Sequence, residues 1–118
     1  MDDYVTFNKA FKNFIRCSIE AFPDMKELKI VLITYKMLKT LSKKQPCKLF
    51  TTMTSSCHEA IFMKDENYFI QNGVNCPEAT LNSISPAIQT KWMSLDDANK
   101  DIIWQHLQVL VALSKKCT

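Results

Sequence analysis

Apolar positions recur at helical rather than strand spacing along most of the chain. Phe7, Phe11, Phe14, Ser18 and Phe22 return every three or four residues with Ile15 and Ile19 beside them, which predicts a first helix over residues 4–22 with an aromatic face. Pro23-Asp24 interrupts it. Asp24, with Glu27 three positions on, forms a capping-box-like start for a second helix that reaches residue 45, ahead of Pro46. At about 100° per residue, Leu28, Ile30, Val31, Tyr35, Met37, Leu38 and Leu41 fill a wide arc of that helix, and Lys29, Lys36, Lys39 and Lys43 gather opposite. The second helix is therefore expected to be one wall of the core.

After Pro46 a third amphipathic segment turns Leu49, Phe50, Met53, Cys57, Ala60 and Ile61 inward and Thr51, Thr52, Ser55 and His58 outward. A short helical turn over residues 65–70 carries Tyr68 and Phe69, and Asn72-Gly73 supplies the positive-φ position that ends it. Residues 74–85 are the least regular, although Asn75-Cys76-Pro77-Glu78 has the form of a helix start, repeated by Ser85-Pro86. The clearest helix is the last. Ser94 and Asp97 form a capping pair, and Ile102, Ile103, Leu107, Val109, Leu110 and Leu113 lead to the basic end Lys115-Lys116. Apolar on most sides, this helix is expected at the centre of a single-domain, all-α bundle of about five helices, packed between the first two.

Composition supports that class. The chain has 118 residues with 47% hydrophobic and 23% charged side chains, enough for one core without a disulfide or metal staple. One glycine and four prolines leave little material for the frequent turns of a sandwich or barrel. No apolar run approaches the roughly 20 residues that span a bilayer, since Ile30-Val31-Leu32-Ile33 is flanked at once by Lys29 and Lys36. Cys17, Cys47, Cys57, Cys76 and Cys117 are odd in number, show no C-x-x-C pair and follow no signal-like segment, so they read as reduced thiols of an intracellular protein.

Candidate chemistry is sparse. His58 and His106 are the available imidazoles, and Cys57-His58 does not make a thiol-imidazole pair, because helical neighbours point about 100° apart. Zinc ligation by Cys47, Cys57, His58 and Cys76 lacks the short ligand spacing of structural sites, and packing of the thiols as small hydrophobes is the simpler reading. Lys64-Asp65-Glu66-Asn67 lacks the alternating oxygens and central glycine of a calcium loop. His106 and Trp104 sit on a helix apolar enough that core or interface packing is favoured over a pocket. No catalytic, cofactor-binding or metal-binding residue is therefore assigned.

The sharpest surface feature is Lys29, Lys36, Lys39 and Lys43, a candidate contact for an anion, a nucleic-acid backbone or an anionic membrane. Its bland counterpart is the solvated face of any surface helix. Net charge is +3, carried by fourteen lysines and a single arginine, Arg16, whereas bidentate recognition of phosphate and guanine favours arginine. Ten isoleucines and seven asparagines beside that one arginine also match an AT-rich coding bias.

The segments Asp65-Glu66-Asn67-Tyr68-Phe69, Asn72-Gly73-Val74-Asn75, Trp92 and Ile103-Trp104-Gln105-His106-Leu107-Gln108-Val109-Leu110 resemble the C-terminal half of a class of small uncharacterised proteins of nucleocytoplasmic large DNA viruses, the giant-virus group. Phe11, Phe14, Ile19 and Phe22-Pro23 resemble the same class upstream. The chain departs from it at His106, where a tyrosine is usual, and in lacking a proline before the turn glycine. The resemblance implies a viral origin and a helical fold and transfers no site residue. The expectation is a non-enzymatic viral accessory or virion-associated protein, without cofactor, in host cytoplasm or virion. It acts through contacts with a viral or host protein, with nucleic-acid binding through the lysine stripe as the alternative. Oligomeric state is left open, because an apolar residue serves a core or a symmetric interface equally well.

Overall fold

The computed structural model describes residues 2–73 and 84–117, and these form seven α-helices without a strand. They are α1 (Asp3–Ala21), α2 (Glu27–Leu41), α3 (Gln45–Thr54), α4 (His58–Phe62), α5 (Glu66–Asn72), α6 (Ile84–Lys91) and α7 (Asp97–Cys117), with one 3-10 turn, Trp92–Ser94, before α7. The helix start expected at Asn75-Cys76-Pro77-Glu78, Cys76 included, lies outside the described residues.

More helices appear than the five expected, in part because the third amphipathic segment is two helices. The second helix stops at Leu41 rather than residue 45, and Pro46 occupies the first turn of α3, where its missing N–H costs nothing. The third segment divides at Ser55-Ser56-Cys57 into α3 and α4. Both halves still bury the residues the pattern selected, Phe50, Cys57, Ala60 and Ile61.

The most extensive helix pair is α1 with α7. They run antiparallel, with the Tyr4 hydroxyl donating to the Cys117 carbonyl at 2.8 Å. Phe7, Leu110 and Val111 are fully buried between them, each worth about 1.5–3 kcal/mol in transfer free energy. α7 does not lie between the first two helices; α1 lies between α2 and α7. The aromatic face of α1 packs on α7, α2 and α3, and α7 packs on α1, α3 and α4 with Ile102 and Val109 facing solvent. Buried polar groups tie α2 to the same helix, since the Tyr35 hydroxyl donates to the Asn8 carbonyl at 3.0 Å and Asn8 Nδ2 to the Lys43 carbonyl at 3.0 Å.

The core has two parts. One is built on Phe7, Phe11, Tyr35 and Phe50, whose rings meet at 5.5–5.9 Å, mostly edge to face. The other is built on Phe22, Met25, Leu28, Trp92, Ile103 and Trp104. Where they adjoin, the packing leaves a cavity of about 180 Å³ walled by residues that are all buried or half-buried.

Candidate functional site: an apolar helix face edged by lysines

The arc expected to bury the second helix is two faces in the structure. Leu28 and Tyr35 are buried and Val31 and Leu38 half-buried against α1 and α3, whereas Ile30, Ile33, Met37 and Leu41 are exposed to 40%, 61%, 61% and 76%. Their spacing places them within roughly 80° of one another on the helix, a continuous stripe of about three turns and 16 Å. The correction has a simple cause. Only one side of α2 meets neighbouring helices, so the apolar residues beyond that side have nothing to cover them.

Lys29 and Lys36 border this stripe and Lys39 lies farther round the helix toward α1, all exposed, and none is ion-paired among the described residues. Lys43 does not belong with them. It lies past the end of α2 and is bonded to the Asp2 carboxylate, which this ammonium and the Tyr4 N–H hold below its ordinary pKa. In its place the fold brings up Lys12 and Arg16 from α1. The Lys12 ammonium is pushed below its ordinary value, first by the charge of Arg16, then by burial and by the charges of Lys36 and Lys39. A four-cation patch therefore spans the α1–α2 seam. Lys12 and Arg16 were not picked out from the sequence, although their i, i+4 spacing puts them on one face of the first helix.

The thiols and imidazoles are occupied structurally. Cys57 directs Sγ toward the Thr54 and Met53 carbonyls at 3.5 and 4.0 Å, and His58 Nε2 lies 3.4 Å from Thr54 Oγ1. Both contacts are made to the C-terminal turn of α3, where the Thr54 carbonyl also accepts from the Cys57 N–H at 3.0 Å. Burial pushes the Cys57 thiol up, and burial and then Lys115 push the His58 imidazole down, so both stay neutral. Burial and contact with Cys47 raise Cys117 to about 11. His106 packs against the Phe14 ring at 6.0 Å, and Trp104 is buried against Trp92 and Phe69. No group of three or more His, Cys, Asp or Glu among the described residues is placed to hold a metal ion. No helix of the described residues is long and apolar enough to cross a membrane.

What the α2 face can do chemically follows from its make-up. A monomer seldom leaves a contiguous apolar strip open unless something docks there, and unpaired cations along its edge favour an anionic counterpart. No protein-family model, curated protein or solved structure matches the chain.

Proposed function

We propose that this is a non-enzymatic protein-binding domain, a viral accessory or virion-associated protein, that docks an acidic amphipathic helix of a partner on the exposed face of α2. The observation that carries the reading is the stripe Ile30, Ile33, Met37 and Leu41 standing open beside Lys29 and Lys36. Its three-turn length matches a helical segment anchored at i, i+3, i+7 and i+11. The cations bordering it select acidic residues flanking those anchors. The similarity of Ile103 to Leu110 to proteins of giant viruses supports the viral part of the reading, and the free thiols Cys17, Cys47, Cys57 and Cys117 fit a reducing compartment such as host cytoplasm.

Nucleic-acid binding is the second reading, favoured by the Lys12, Arg16, Lys36 and Lys39 patch. The apolar stripe argues for the protein, because a phosphate backbone offers it no apolar counterpart.

The test is fluorescence anisotropy with four probes: an amphipathic helical peptide with leucines at the docking spacing and flanking glutamates, the same peptide with lysines, a DNA duplex, and vesicles containing phosphatidylserine. The acidic peptide should bind, and I33D with M37D should weaken it about tenfold or more without unfolding the chain. Binding to the duplex or the vesicles in preference to the acidic peptide, or indifference to the double substitution, would overturn the proposal.

A further inference from the structure

The cavity between the two halves of the core is independent of the α2 face, and its chemistry is specific. Its walls come from α1, α2, α3, α4, α5, α6 and α7, with Phe11, Phe50, Phe69, Trp92 and Trp104 supplying ring faces and edges. Four polar side-chain groups of these walls are engaged by neighbouring groups. Ser18 Oγ donates to the Phe14 carbonyl at 2.9 Å and Thr54 Oγ1 to the Phe50 carbonyl at 2.9 Å. Gln89 Nε2 donates to the Phe69 and Ile70 carbonyls at 3.1 and 2.8 Å, and Trp92 Nε1 donates to the Glu66 carboxylate at 2.8 Å.

A water molecule needs two to four polar partners to stay in a buried space, so walls like these do not hold one well. A volume of about 180 Å³ exceeds that of engineered apolar cavities, roughly 150 Å³, that stay dry and take up benzene. The rings in the wall favour a flat aromatic guest through edge and offset contacts. We infer that the cavity is a binding site for a small, neutral, single-ring aromatic molecule, selected by shape and by the almost wholly apolar surface that its described lining residues present. A guest carrying a hydroxyl is disfavoured, since it leaves that group unpaired.

The experiment uses toluene and phenol as probes of the full chain, read by the melting temperature and by the fluorescence of Trp92 and Trp104. Toluene should raise the melting temperature saturably and perturb the indole emission, and phenol should bind about tenfold more weakly. S18L, which fills the cavity from α1, should remove the toluene response while leaving acidic-peptide binding at α2 unchanged. If S18L does not fold, the toluene and phenol comparison on the unmodified chain decides by itself. No saturable toluene response, an equal response to phenol, or a toluene response that survives in folded S18L would overturn the inference.

Discussion

The single glycine shows how one residue constrains several elements. Gly73 closes α5 with φ 68° and ψ −159°, a region essentially closed to residues with a Cβ, and its N–H donates to the Phe69 carbonyl at 2.8 Å. A Cβ there would also stand 2.4 Å from Ser85 Oγ. G73A should therefore destabilise the chain by about 1–3 kcal/mol in chemical denaturation. The sequence signalled the positive φ through Asn72-Gly73, but the close approach of α6 depends on packing that local pattern does not encode.

Two titrating residues act in one direction. The Trp92 indole first, then the Lys100 ammonium at 3.1 Å, hold the Glu66 carboxyl below its ordinary value of 4.5. Burial first and Lys115 second hold His58 below 6.5. A lowered pKa in the folded state, for an acid or a base, means that the unfolded chain binds the proton more readily, so stability is present at higher pH and lost on acidification. Urea midpoints should decline as pH falls below 6.5 through the His58 step and again below 4.5 through the Glu66 step. E66Q should shrink the lower step, leaving the part that comes from Asp2, which Lys43 also holds below its ordinary value, and should leave the His58 step unchanged. A midpoint unchanged between pH 7 and pH 3 would contradict this assignment.

At the scale of elements, hydrophobic period located α1 and α7 well and capping chemistry less well. The cap of α7 is Asp96, whose carboxylate accepts from the Asn99 N–H at 2.8 Å, whereas Ser94 belongs to the preceding turn and donates to the Lys91 carbonyl. D96A should cost about 1 kcal/mol in stability and S94A only a few tenths. At the start of α2, Asp24 makes no cap either, since the N-cap position is Lys26 without a side-chain bond. Asp65 does cap α5, accepting from the Tyr68 N–H at 3.2 Å. Capping residues are common enough that two or three compete at each boundary, and the turn geometry decides among them.

The whole molecule explains what the pattern hid. Residue spacing shows which side chains are apolar and share a face, but not how many neighbours a helix has. With α1 between α2 and α7, α2 is left at an edge, and half its apolar residues become surface. The same tertiary placement adds Lys12 and Arg16 to Lys36 and Lys39 across two helices and removes Lys43 to Asp2. The helical class and most core residues were thus legible in the sequence, while the exposed α2 face and the cavity were not, because both are relations between elements.

The most direct measurement is a two-dimensional NMR titration of the 15N-labelled chain with the acidic amphipathic peptide. Shifts should concentrate at Ile30, Ile33, Met37 and Leu41 and at the bordering Lys29 and Lys36 amides. Shifts centred on α4, α6 or the outer face of α7 with α2 unmoved would contradict the proposed docking face.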